Sequence, residues 1–311
     1  MNKSLPQRIE TVVIGGGIVG CSVAYHLAKA GREVLLLERK QLTSGSTWHA
    51  AGLVSQFHGF PCITRLACYG IELMQTLQAE TGQATGFQKV GAIAVALNEG
   101  RREELRRRKD VAIGQGIEVE TLNTSALHAL WPLLNTEGAL EAIFFPNDGQ
   151  TNPIDTTMAL AKGARMAGAT IMENTAVSRL IVEAGKAVGV VTPAGDIRAD
   201  NVVNCTGIWG REFAASNGTH LPIQHNQHFY IVSDPIAELT TPTPVLRIYD
   251  EQAYYKADAG KLMIGFAEPN GMPWDPPGGI PDDFEFSELP YPEDHLTPIL
   301  ERCIERVPAL G

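Results

Sequence analysis

The sequence predicts an α/β protein in which a dinucleotide-type βαβ unit is interleaved with a second domain built on an antiparallel sheet. Three observations carry that prediction. An apolar strand runs through the glycine turn GGGIVG (15–20) straight into a helix. The stretch from Thr175 to Gly207 alternates in strand fashion, with turns at EAGK and PAGD. Several further short strands follow it, which a single parallel unit could not hold.

In order along the chain, TVVIGGGIVG (11–20) reads as a strand entering its turn, IVGCSVAYHLAKAG as a helix ended by Gly31, and EVLLLE (33–38) as a second parallel strand. CITRLACYGIELMQTLQAETG is helical, QKVGAIAVALN a strand, RREELRRRKDVAIGQG a helix and ALHALWPLL a short helix. TTMALAKGARMAGATI is a helix closed near Gly168, and the alternating stretch after it forms a meander returning to a strand at 201–205. HFYIVSD, PVLRIYD, AYYKAD and KLMIGFAE are short strands, and PNGMPWDPPGGIPDD is a loop. The last segment has apolar residues at 296, 299, 300, 303, 304 and 307, which is helical spacing. These excursions assign 1–80 and 146–215 to the first domain and 81–145 and 216–295 to the second. Residues 296–311 are expected to begin a return to the first.

The bulk numbers bound the function. The chain has 311 residues, 44% hydrophobic and 19% charged, and its net charge of -10 argues against nucleic acid or an anionic membrane surface as partner. RREELRRRKD (101–110) is locally basic, but its interspersed acids suit a solvated helix face. Five scattered cysteines form no CxxC pair, which points to a reducing compartment. No apolar run approaches the roughly 20 residues of a membrane span, and little precedes the first strand, so a cytoplasmic chain is expected. No metal site is assigned.

The glycine turn carries chemistry. Gly15 permits the tight turn, Gly17 lets the backbone approach a pyrophosphate, and Gly20 lets helix and strand close on each other. The N–H groups of Ile18 and Val19 are then offered to the anion. Glu38, ending the second strand, can accept hydrogen bonds from ribose hydroxyls and would repel a 2′-phosphate. NAD and FAD share this fingerprint. VVNCTGIWG (202–210), a strand running into Thr206 and Gly207, looks like the second flavin-contacting turn of FAD enzymes of the glutathione-reductase-like class, which favours FAD.

A third segment, GSTWHAAGL (45–53), sets a histidine among small residues just after Glu38. On composition alone His49 would be a packed or solvent-facing side chain. With GGGIVG, FHGF, LQAETGQATGF, WPLLN, DGQTNPIDTTMALAKGAR, NCTGIWGREF and PVLRIYDEQAYY, it makes nearly the whole chain resemble the dimethylglycine and sarcosine dehydrogenase family, within the flavin-dependent D-amino-acid and amine oxidases. The resemblance implies that FAD is carried covalently on His49 and that Gly45, Ser46, Thr47, Trp48, Ala50, Ala51, Gly52 and Leu53 line the flavin and pyrophosphate. It places Glu38 and Arg39 by the adenosine ribose, Val177 against adenine and Trp209 after the second flavin turn.

For catalysis, NQHFYIVS resembles the family's active-site strand, which places His228, with His225 as its neighbour, near the substrate. AYYKAD supplies Tyr254 and Tyr255, only one of which an alternating strand turns toward the substrate. His58, in FHGF, either borders the flavin or is a loop histidine. The implied reaction is oxidative demethylation of an N-methylated glycine, whose carboxylate polar groups of the second domain would hold. The alternatives are oxidation of another amino acid or amine and a non-catalytic regulator on the same fold. The electron acceptor is not specified. Family members continue past the helix ending ERVPALG, with a segment completing the flavin cradle and usually a folate-binding module, so the chain is expected to be a fragment or a shortened relative.

Overall fold

β1 (Arg8–Ile14), α1 (Ile18–Lys29) and β2 (Val34–Leu37) form the expected βαβ unit, with β1 and β2 parallel and in register from Thr11–Val34 to Ile14–Leu37. The computed structural model describes residues 5–239 and 242–311. β2 is buried at all four positions, as a central parallel strand covered on both faces must be. The sheet has six strands, in the order Thr170–Met172, β2, β1, Gly195–Asn204, Lys186–Thr192, Arg179–Glu183. Its first four strands are parallel, and the last two return antiparallel as the meander read from the sequence.

One face of this sheet is closed by α1 and the helix Pro153–Met166, where Val13, Leu36, Ala24, Tyr25 and Ala161 share a core. Gly163 lets the two helices touch: a Cβ there would lie 2.7 Å from the Tyr25 ring. The other face buries Val12, Leu35, Val190 and Ile197, with Val177 and Phe213 packed against them.

The second sheet has seven strands, in the order Tyr230–Val232, Lys261–Phe266, Ala253–Asp258, Val245–Ile248, Ala92–Ala96, Glu141–Phe145, Glu120–Leu122. Its pairs are antiparallel except Val245–Ile248 with Ala92–Ala96, which run parallel because a long excursion through the first domain separates them. Alternation divides its residues. Ile93, Val95, Leu246, Ile248, Tyr255, Leu262 and Ile264 point into one core. Ala94, Ala96, Ile143 and Phe145 point to the opposite face, against Phe57, Leu105 and Ala112.

Two expectations are corrected. The helix Glu293–Arg306 packs on the second sheet: Leu296, Ile299, Cys303 and Val307 join Trp131 and Tyr255 in its core, and Arg306 is anchored on Glu251. Its apolar stripe follows the nearest apolar sheet face. RREELRRRKD is helical, and Arg101, Arg102, Arg106 and Arg107 do pair with acids, but Arg108 turns inward. Among the described residues no helix is long and apolar enough to cross a membrane, and all five cysteines are free.

Candidate active site and cofactor crevice

The glycine turn is shaped by close backbone approach. Gly15 has φ +108°, and a Cβ on it would lie 2.3 Å from the carbonyl oxygen of Cys205, at the end of the neighbouring strand. A Cβ on Gly20 would lie 1.9 Å from the carbonyl oxygen of Gly15. Only glycines let α1, the turn and residues 205–206 meet here. Gly17 differs: a Cβ on it would meet only the Thr47 hydroxyl, at 3.0 Å. Gly17 is the N-cap of α1 and has no side chain to serve it. The Thr47 hydroxyl supplies the cap, accepting from the Ile18 N–H at 3.0 Å.

Glu38 is buried at the end of β2. Its two carboxylate oxygens accept from the N–H groups of Gly16 at 2.6 Å and Lys40 at 2.9 Å. Each oxygen retains a lone pair. Ile18 and Val19 are 37% and 62% exposed, an uncovered apolar surface at the mouth of the turn. A cradle that side chains would fill, a helix start and a fixed carboxylate together fit a dinucleotide.

Ser46–His49 is a single helical turn following Gly45. A Cβ on Gly45 would lie 3.0 Å from the Trp209 ring, and the Arg39 guanidinium stacks over that ring at 4.0 Å. Thr206 turns the neighbouring strand end, its hydroxyl and N–H both on the Asn204 side chain, and Gly207 follows with φ +58°. Further on, Gly52 backs onto Thr151, Leu53 and Val54 pair with Gln150 and Gly149, and the buried ammonium of Lys256 donates to the Ala51 carbonyl at 3.1 Å. Lys256 thus ties the second sheet to this segment.

His49 has carbonyl oxygens at both ring nitrogens: Gly45 at Nδ1 (3.1 Å) and Ser287 at Nε2 (2.6 Å). A neutral imidazole has one N–H and can satisfy only one of them. Residues 282–287 lie across the crevice here. Phe284 stacks on His49 at 5.9 Å, Phe286 packs edge-on to Trp48 and donates its N–H to Ser44, and Asp282 and Glu285 face Arg39 and Lys40.

Beside the segment lies a cavity of about 310 Å³. Ser55, Phe57 and His58 form one wall and Arg108 another; Arg247, Tyr249, Ala253, Tyr254 and Ala267 close it from the second sheet. Arg247 and Tyr254 are cross-strand partners, and Tyr254 sits opposite Gly265. A Cβ on Gly265 would fall 1.7 Å from the Tyr254 ring, so the glycine is what lets the phenol lie across the strand. Burial pushes the Tyr254 phenol up to about 12, with Tyr230 and Glu268 adding and Arg247 opposing. It is a hydrogen-bond donor at neutral pH. Asp148, behind the cavity, is held above the usual carboxylate range by burial, although the Gln56 N–H donates to it at 2.7 Å.

A family model described as FAD dependent oxidoreductase (DAO) matches residues 10–311. The chain belongs to this family. It is 39% identical over 308 residues to the 4-methylaminobutanoate oxidase (formaldehyde-forming) of Paenarthrobacter nicotinovorans, covering 99% of this chain and 37% of that protein. It is 36% identical over 312 residues to the mitochondrial dimethylglycine dehydrogenase of Rattus norvegicus, covering 97% and 36%. The chain therefore spans little over a third of the length of these relatives. Among solved structures, L-proline dehydrogenase from P. horikoshii superposes with a TM-score of 0.87 at 26% identity, covering 98% of this chain and 79% of that one.

Within this FAD-dependent fold the sequence-assigned residues fall in several separate places. Gly15, Gly17, Ile18, Val19, Gly20, Glu38 and residues 45–53 gather around the crevice with Arg39, Thr206, Gly207 and Trp209. Val177 packs against the outer face of the first sheet. Tyr254 and His58 line the cavity, whereas Tyr255 is fully buried against Trp131 on the other face, as strand alternation requires. His228 does not line the cavity. It is exposed and meets Glu268 at 3.2 Å, one residue beyond Ala267. His225 is buried with Nε2 unpartnered, outside the cavity wall. Arg108, Arg247 and Lys256 are functional candidates that the sequence reading passed over.

Proposed function

We propose that this chain is the flavin-dependent portion of an oxidoreductase that demethylates an N-methylated glycine of the dimethylglycine or sarcosine type, releasing the methyl carbon as formaldehyde. The observation carrying this reading is the 39% identity over 308 residues to a protein whose name states a formaldehyde-forming oxidation of a methylamino acid. FAD, when bound, accepts the hydride equivalent that leaves the N-methyl carbon.

The chain's residues have distinct parts. The glycine turn and the start of α1 hold the pyrophosphate, and Glu38 the ribose. Residues 45–53 would line the flavin, with His49 as the point of covalent attachment; the ring nitrogen that forms the bond would give up its carbonyl contact with Gly45 or Ser287. In the cavity Tyr254 keeps its proton and lines the space where the neutral amine, the form whose lone pair drives hydride loss, would sit. The substrate is left as an iminium, which water hydrolyses to formaldehyde and the demethylated amine. The proton that an ammonium form of the substrate sheds on binding passes to solvent, since His228 with Glu268 stands exposed outside the cavity wall.

Anaerobic mixing of the flavin-loaded protein with sarcosine, dimethylglycine, 4-methylaminobutanoate and glycine tests the reading. Bleaching of the flavin by the N-methylated acids, with one formaldehyde per flavin reduced, is the expected result. Bleaching by glycine alone, or by none of the four, would overturn it.

A further inference from the structure

The segment that crosses the crevice is anchored at its ends and lightly fastened between them. Trp274 donates its N–H to the His225 carbonyl at 2.9 Å, and Glu293 begins the helix packed on the second sheet. Gly278 and Gly279, at φ +85° and +88°, let the chain turn back over the first domain. One backbone hydrogen bond then ties residues 282–287 to that domain, from the Phe286 N–H to the Ser44 carbonyl at 3.1 Å. It is made under strain, because Phe286 holds φ +49°, a conformation that disfavours any residue with a Cβ. The remaining fastenings are side chains. Arg39 donates to the Phe284 carbonyl at 3.2 Å and faces Asp282 at 3.7 Å, and Lys40 faces Glu285 at 3.7 Å.

Together these contacts have the character of a bound ligand. The crossing lays a flat ring within 7° of parallel to the His49 imidazole and sets the Ser287 carbonyl oxygen 2.6 Å from its Nε2. It also sets two carboxylates opposite Arg39 and Lys40. An aromatic ring system and a pair of anionic charges are what a flavin dinucleotide brings.

We propose that residues 282–287 are a strap that occupies the flavin's place beside His49 as an internal ligand, and that FAD loads only as the strap swings out. The proposal rests on the reading of residues 45–53 as the lining of the flavin. Loading then scales with the fraction of molecules whose strap is open. A segment held by one backbone bond, a few ring contacts and two loose ion pairs opens far more readily than the sheets on either side of it.

The test is made on the flavin-free chain. In stopped-flow mixing with FAD, followed by quenching of flavin fluorescence, Phe284→Ala removes the stack on His49 and the contact with Trp274 at 4.8 Å. It should raise the association rate constant by about 3–10-fold, the factor set by losing an aromatic pair. Glu285→Gln, which frees Lys40, should raise it by about twofold. A residue that only supported the fold would act in the opposite direction, since a damaged crevice loads more slowly. Hydrogen exchange read by mass spectrometry gives the second measure. FAD loading of the wild type should speed exchange at the Phe286 amide and slow it at the start of α1. If Phe284→Ala fails to fold by thermal melting, Glu285→Gln and the wild-type exchange still decide. Loading by the folded variants no faster than by the wild type, or a strap equally protected with and without FAD, would overturn the proposal. So would a failure of wild type and variants alike to take up FAD, because the strap would then not be the barrier. Faster loading with an exposed strap, but no bleaching by any N-methylated acid, would sink the proposed reaction and leave the strap standing.

Discussion

Gly17 and Gly20 belong to one motif, yet the structure gives them opposite reasons to be glycine, and replacing each by alanine separates fold from cofactor binding. Gly17 has φ -77° and ψ -179°, which alanine adopts freely. Its added methyl meets only the Thr47 hydroxyl at 3.0 Å, a group that can shift by a few tenths of an ångström. Replacing glycine by alanine at an N-cap costs about 0.5–1 kcal/mol. For a chain of this size that lowers the melting temperature of the flavin-free protein by about 1–4 °C.

Gly20 is different. Its methyl would stand 1.9 Å from a backbone oxygen, so α1 must retreat from β1. Such overpacking costs about 1–3 kcal/mol or more, about 2–12 °C on the same scale. For FAD the order reverses in meaning: Gly17→Ala puts its methyl in the approach path of the pyrophosphate and should abolish loading from a nearly unperturbed fold. Circular-dichroism melts of flavin-free protein, with FAD titration followed by fluorescence quenching, measure both quantities. The flavin-free state is essential, because bound ligand would itself raise stability. A Gly17→Ala protein that melts within a few degrees of wild type and binds FAD with wild-type affinity would refute the reasoning.

Three further outcomes are expected. Intact mass of wild-type protein refolded with FAD should show an increment matching the cofactor, lost in His49→Ala while reversible FAD binding persists; an increment surviving in the variant places the bond elsewhere. The Tyr254 phenol is raised from 10.0 to about 12 in the folded state, so it contributes stability fully present below pH 10 and lost as pH rises through about 12; Tyr254→Phe should flatten the alkaline fall of the urea midpoint, and an identical fall in both proteins would count against a buried phenol. Trp131 is fully buried and donates Nε1–H to the Pro244 carbonyl at 2.7 Å, so Trp131→Phe should cost about 2–4 kcal/mol by urea denaturation, and a change under about 0.5 kcal/mol would show that this core repacks freely.

The βαβ unit, the meander and most strands of the second sheet were legible because their apolar residues keep a period, and the glycine turn because its spacing has one geometric use. The strand Glu141–Phe145 escaped: EAIFF is a short apolar run without alternation, and only its place between Ala92–Ala96 and Glu120–Leu122 makes it a strand. The crossing of residues 282–287 over His49 was equally hidden, since it joins positions more than 230 apart in a loop defined by proline and glycine. The arginines of the cavity are another matter, for both carried a readable signal. Leu105, Arg108 and Ala112 fall on one helix face, and the outer two are buried, so the guanidinium between them had to enter the protein while its neighbours stayed in solvent. Leu246 and Ile248 face the core, which turns Arg247 to the opposite side, and the buried Tyr255 turns Tyr254 to that side as well. Periodicity therefore sends two cations and a phenol to the same place from three separate elements. The acid that both guanidinium groups feel, Asp148, comes from the short turn after Glu141–Phe145, and no periodicity announces it.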